Sequence, residues 1–168
     1  MAESLENNDK RLSEESEPKV NQCLTFVVAD DEFGLDILSV QEIHCWVEPR
    51  PIPNTPEFIK GVIDWRGTIV PIVDLRLKFN YQQAEYNKTT VVIILKTYLT
   101  EIEHSAIVGI VVDAVSDVVD IQENQLKKTP RLGSRVDTDY IKGIAKINDK
   151  MTVILELQKL INLEHLDR

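Results

Sequence analysis

The side chains able to do chemistry in this chain are few and scattered. Its three histidines, His44, His104 and His165, have no second ligand at metal spacing, and no HExxH, GxSxG, P-loop or GxGxxG pattern occurs. The acidic groups Asp30-Asp31-Glu32 and Asp113, Asp117, Asp120 lack a calcium-loop pattern and fall at expected strand ends or turns, so they read as solvated carboxylates. Cys23 and Cys45 form no CxxC and read as small core hydrophobes rather than a disulfide or zinc pair. These patterns predict no catalytic, cofactor or metal site. One cation stands out instead: Arg66, in the stretch FIKGVIDWRGTIVPIVDL (58–75), placed with Gly67 where a strand-forming segment must reverse.

The element carrying Arg66 is repeated. YIKGIAKINDKMTVILEL (140–157) aligns with 58–75 without a gap, with five identical positions and mostly conservative exchanges. Two copies and no short period predict two related supersecondary units, read as two similar small β-barrels, rather than a solenoid. Residues common to both copies serve the fold. The odd positions Ile59, Ile63, Trp65, Ile69, Val73 and Leu75 and their matches Ile141, Ala145, Ile147, Met151, Leu155 and Leu157 are all apolar, which predicts one inward face in each copy and places Trp65 in the core. The turns differ: Asn148-Asp149 is an ordinary tight-turn pair, whereas in Arg66-Gly67 only the glycine answers to turn geometry. Arg66 is thus either a solvated cation or a five-donor anchor for a partner carboxylate or backbone.

Around these hairpins the signals are mainly β. QCLTFVV, a DDE turn and EFGLDI predict a hairpin, and TTVVIIL, AIVGIVVDAV and MTVILEL are rich in Val and Ile. A short helix is expected over VQEIHCW after Ser39, ended by the proline run EPRPIPNTP, and a C-terminal helix over LQKLINLEHL, with Leu157, Leu160, Ile161 and Leu163 on its apolar face, is expected to cap a barrel. Residues 1–19 are acidic and poor in large apolar groups, which predicts a disordered tail before a domain over 20–164 and a short tail over 165–168.

The 168 residues are 43% hydrophobic, enough for one domain or two small joined subdomains. A net charge of −9, with 28 acids against 19 bases and 6% aromatics, argues against an SH3-like module that binds nucleic acid. No secretory leader or bilayer-length apolar run is present, so the expected location is the cytoplasm, without membrane insertion. Neither the alternating βα units of a receiver domain nor the helical bundle of a phosphotransfer domain is present.

VQEI (40–43), IPNTPEFIKGVIDWRGTIVPIVDLRLKF (52–79), IVGIVVDAVSDV (107–118) and YIKGIAKINDKMTVILELQKLI (140–161) follow one another in the order and spacing of the CheW coupling proteins of bacterial chemotaxis, which the chain resembles over roughly residues 22–163. The resemblance implies two intertwined five-stranded SH3-like barrels. It also implies a non-enzymatic scaffold linking the cytoplasmic tips of chemoreceptors to the regulatory domain of the histidine kinase CheA at membrane-associated arrays. A paralogous adaptor of another chemosensory pathway, such as twitching motility, is the alternative. The partner-binding positions implied are Glu42 and Arg66, joined by Val40, Ile43, Gly61 and Gly109 as surface or groove positions; Val40 and Ile43 could equally bury the short helix, and Gly61 and Gly109 could answer to close packing. The chain departs from the family pattern at Asp64-Trp65, where Asn-Leu is usual, and in the longer connection TYLTEIEHS (97–105).

Overall fold

A computed structural model describes residues 20–81, 85–99, 103–128 and 136–161. Among the described residues, ten strands make two five-stranded sheets. The first has the order β8-β1-β2-β10-β9 and is built from β1 (Val20–Val28), β2 (Asp31–Asp36), β8 (Ala114–Gln122), β9 (Ile141–Ile147) and β10 (Lys150–Leu155). The second has the order β3-β6-β7-β5-β4 and is built from β3 (Val40–Cys45), β4 (Ile59–Trp65), β5 (Thr68–Asp74), β6 (Val91–Leu99) and β7 (His104–Val112). The chain's first two strands therefore join its last three, and the sheets are interleaved in sequence. Two short α-helices lie among the described residues, α1 (Leu75–Lys78) and α2 (Leu157–Leu160).

The repeat is visible strand by strand. The hairpins β4–β5 and β9–β10 occupy the same edge of their respective sheets, and each inner strand pairs in parallel with a neighbour, β5 with β7 and β10 with β2. Matched backbone bonds close both barrels: Arg50 pairs with Val62 as Lys127 pairs with Ile144, and Asp74 donates to the Phe58 carbonyl as Glu156 donates to that of Tyr140, each at 2.7 Å.

Two expectations fail locally. VQEIHC is strand β3, and the helical turn after the first hairpin is the preceding three residues, Ile37–Ser39, capped by the Asp36 carboxylate on Leu38 N–H at 3.0 Å. The nine residues between Ser39 and Pro49 are too few to sustain a helix alone, whereas the edge of β6 offers a ladder from Val91 to Leu95. The odd-numbered inward face also breaks. A two-residue turn pairs Trp65 with Thr68 and Ile63 with Val70, so residues sharing a face change parity across it. Ile69 and its match Met151 are accordingly exposed, at 64% and 63%, while Val70, Ile72, Thr152 and Ile154 point in. A bulge between Ile59 and Gly61 then resets the register, which is why Ile59, Val73 and Leu75 are buried as expected.

Each barrel has a small interior cluster: Val70, Ile72, Val92, Ile94 and Val111 in one, Cys23, Ile121, Ala145 and Ile154 in the other. A far larger cluster lies between them and draws on both sheets, with Phe26, Phe33 and Leu35 packed with Ile93, Leu95 and Ile110 and capped by Leu157 and Leu160. The C-terminal helix is shorter than expected, a single turn over Leu157–Leu160 that ends at an extended Ile161, with Leu157, Leu160 and Ile161 buried. Leu163, His165, the tails 1–19 and 165–168, and residues 100–102 of the TYLTEIEHS connection lie outside the described residues.

A polar joint supplements the shared core. Arg76, 2% exposed, forks onto Asp74 through Nε and Nη2 at 3.0 and 2.9 Å and reaches Asp113 through Nη1 at 2.9 Å. Burial works against its charge, but the two carboxylates outweigh burial and hold it ionised. Asp113 separates β7 from β8, where the chain crosses between sheets, and its other oxygen accepts from Ala29 N–H in the β1–β2 turn at 2.6 Å. It is therefore no idle solvated carboxylate, whereas Asp117 and Asp120 are exposed, the Asp117 carboxylate accepting from the neighbouring Val118 N–H at 2.7 Å. Lys78 adds a further tie, its ammonium 4.4 Å from the Phe58 ring centroid and 5.2 Å from that of Tyr140, the matched first residues of the two copies.

Candidate functional site

The tip of β4–β5 is a tight two-residue turn in which both Arg66 and Gly67 have positive φ, 51° and 82°. Asp64 secures it by accepting from Gly67 N–H at 2.9 Å. The left-handed region suits Gly67, whereas the presence of a Cβ makes Arg66 an unfavourable choice there. Its side chain is 72% exposed.

Arg66 is nonetheless placed. Its guanidinium lies 5.1 Å from the Trp65 ring centroid, and Nη2 is 3.4 Å from Glu42 Oε2. That same oxygen accepts from Trp65 Nε1–H at 2.5 Å and lies 3.2 Å from His44 Nε2. The Trp65 hydrogen bond holds the Glu42 carboxyl below its ordinary value, against partial burial and with help from His44 and Arg66. Glu42 comes from β3 and Trp65 from β4, the two edges of the second sheet, so the cluster bridges the seam where that barrel's edges approach.

Val40, Glu42 and His44 alternate with the exposed Gln41, Ile43 and Cys45 along β3. Val40 packs against the shared core, while Ile43 is 45% exposed. Cys45 is exposed rather than a core residue; Cys23 is buried, and burial pushes its thiol up. Beside the tip, Val47, Ile63 and Ile69 line a shallow groove rimmed by Glu48, Arg50 and Asp64. Sequence analysis missed Ile69 as a surface residue because parity assigned it inward.

The glycines are elsewhere. Gly61 has φ +136°, and a Cβ there would collide with the Arg50 carbonyl that crosses it. Gly109 is buried, and a Cβ would lie 2.6 Å from Ile72 Cδ1 inside the barrel. The structure thus brings Glu42 and Arg66 together with Ile43 on the neighbouring surface, and sets Gly61 and Gly109 at close-packing points. Sequence analysis also missed the burial of Arg76; its position between Leu75 and Leu77 in an apolar run, two residues after Asp74, was the available signal. Among the described residues no three His, Cys, Asp or Glu side chains are grouped to hold a metal ion, and no helix is long and apolar enough to cross a membrane.

Twin barrels fused through a common core, with polar and apolar side chains displayed together at one hairpin tip, define a module with a surface suited to binding. A family model described as "CheW-like domain" matches residues 22–165. The chain is 40% identical over 145 residues to a protein named Chemotaxis protein CheW from Klebsiella aerogenes, covering 86% of this chain and 84% of that one. It is 31% identical over 143 residues to the protein of the same name from Rhizobium meliloti, covering 85% and 88%. The crystal structure of the scaffolding protein TtCheW from Thermoanaerobacter tengcongensis superposes with a TM-score of 0.75 at 35% identity, covering 88% of this chain and 91% of that one. The chain belongs to the CheW-like family.

Proposed function

We propose that this chain is a non-enzymatic coupling adaptor of bacterial chemotaxis, which joins the cytoplasmic tips of methyl-accepting chemoreceptors to the regulatory domain of the histidine kinase CheA so that receptor state sets kinase activity. The observation that carries this reading is the family match along residues 22–165, with CheW-named relatives aligned over most of both chains. On this reading the module occupies residues 20–164 and works in the cytoplasm, recruited to membrane-associated receptor arrays.

The physical role is that of a bridge. A receptor that binds one face differently in its two states shifts the populations of whatever is held on another face. A rigid double barrel with a common core transmits such differences without absorbing them. Individual contacts can be modest, because repeated adaptors in an array raise effective concentration. Glu42, Arg66, Val40 and Ile43 supply the partner-facing surface and the β3 strand beneath it, while Gly61 and Gly109 act through backbone packing.

Calorimetric titration into the CheA regulatory domain tests the reading, with a receptor cytoplasmic fragment titrated in parallel. Saturable binding is expected, weakened by about 1–3 kcal/mol in Arg66→Ala if the arginine anchors that interface. No binding to either partner at high micromolar concentration would sink the adaptor role.

A further inference from the structure

The two hairpins provide an internal control on Trp65. In the second copy its place is taken by Ile147, which packs against the small core of Cys23, Ile121, Ala145 and Ile154. The turn beyond it, Asn148-Asp149, has both φ values positive, as at Arg66-Gly67. An aliphatic side chain is therefore sufficient for this strand position and this turn. What Trp65 has beyond Ile147 is an N–H and an aromatic face, and both are in use at the tip. The N–H donates to Glu42 Oε2 at 2.5 Å, and the face lies beneath the Arg66 guanidinium at 5.1 Å.

Left to themselves, Glu42 and Arg66 would be an exposed ion pair at 3.4 Å, which holds two long side chains only loosely. A fixed indole changes this. It attaches Glu42 to the far edge of the barrel and gives the guanidinium a flat platform, so that Arg66 waits in one orientation with most of its donors turned to solvent. We infer that Trp65 is a positioning residue, which pins the Glu42 carboxylate and preorganises Arg66 for a hydrogen-bond acceptor, a carboxylate or backbone carbonyl, on a partner protein. The partner half of this inference rests on the adaptor reading; the pinning half is a property of the free chain.

The test separates the two halves. Indole ¹H–¹⁵N resonances are recorded for the free full-length chain, with the Trp65 signal assigned by its loss in Trp65→Phe. That signal should move as Glu42 titrates in the acid range and be displaced in Glu42→Gln, whereas the Trp46 indole, stacked on Tyr86 at 4.1 Å, should not respond. His44 and Arg66 are the other charged or titratable groups facing this oxygen, and a pH response that persists in Glu42→Gln but is lost in His44→Gln would assign the shift to His44 and overturn the pinning of Glu42. A Trp65 signal indifferent to Glu42→Gln would overturn it as well.

Binding is then measured to whichever of the kinase regulatory domain and receptor fragment depends on Arg66. Trp65→Phe, which keeps the ring and loses the N–H, should weaken binding about threefold, and Trp65→Ile, the residue of the second hairpin, about tenfold, the scale set by the cost of ordering a flexible side chain on association. Neither change should matter in an Arg66→Ala background. Undiminished binding by Trp65→Ile, or equal losses with and without Arg66, would overturn the positioning role. Absence of binding by the unaltered chain would overturn the adaptor reading and the partner half, while the indole resonances decide the pinning alone.

Discussion

At the scale of single residues, Arg66 sets a backbone preference against a side-chain use. Its φ of 51° lies in the region that asparagine and glycine tolerate and most residues avoid. Replacing it by alanine or asparagine removes the same guanidinium, so both variants should lose partner binding equally. They should differ in the fold: Arg66→Asn, which creates the Asn-Gly pair preferred at such turns, is expected to be about 0.5–1 kcal/mol more stable than Arg66→Ala in urea unfolding. Equal stabilities would mean that the turn does not strain a residue at this position. That the turn itself does not require Arg66 was legible from the unequal repeat copies, since one turn does with Asn148-Asp149 what the other does with Arg66-Gly67. The company it keeps was not legible, because Glu42 reaches the tip only through the curvature of a sheet whose edges are β3 and β4.

At the scale of elements, sequence reasoning succeeded where contacts are local and failed where distant strands decide. The hairpins 58–75 and 140–157 were readable from strand-forming residues and turn residues, although the parity of the inward face was misread across the turn. The strand β3 was not, because its partner β6 lies some fifty residues further along and offers a ladder that short-range helical spacing cannot reveal. The same limit explains Gly61 and Gly143, which occupy matched positions and look equivalent in sequence. Gly61 has φ +136° and faces the Arg50 carbonyl, whereas Gly143 has no positive φ and a Cβ there would stand 3.1 Å from the Lys127 carbonyl, a tight but adjustable contact. Gly61→Ala should therefore cost about 3 kcal/mol or more and Gly143→Ala about 1 kcal/mol, measured by denaturant midpoints. Similar costs would indicate that the Arg50 crossover yields easily.

At the scale of the whole molecule, the question is whether two barrels make one cooperative unit. The repeat made the pair of barrels legible, but the repeat alone would allow them to sit side by side as independent domains. Three features argue otherwise. The chain's first two strands complete the barrel formed by its last three; the largest apolar cluster takes residues from both sheets; and Asp113, at the crossing between sheets, binds Arg76 on one side and Ala29 N–H on the other. Opening one barrel would expose core belonging to the other and undo the Asp113 joint between Arg76 and the β1–β2 turn. Both tryptophans, Trp46 and Trp65, pack against the interior cluster of the second barrel, so their fluorescence reports that barrel while far-ultraviolet circular dichroism reports both. The two signals should fall at one denaturant midpoint. Leu35 supplies the stricter case, since it lies on β2 in the first sheet, is fully buried and belongs to the shared cluster. Leu35→Ala should lower stability by about 2–5 kcal/mol and carry the tryptophan transition of the other barrel down with it. If the circular dichroism moved while the fluorescence midpoint stayed, the barrels would be separable units, and a rigid bridge between two partners would lose its structural basis.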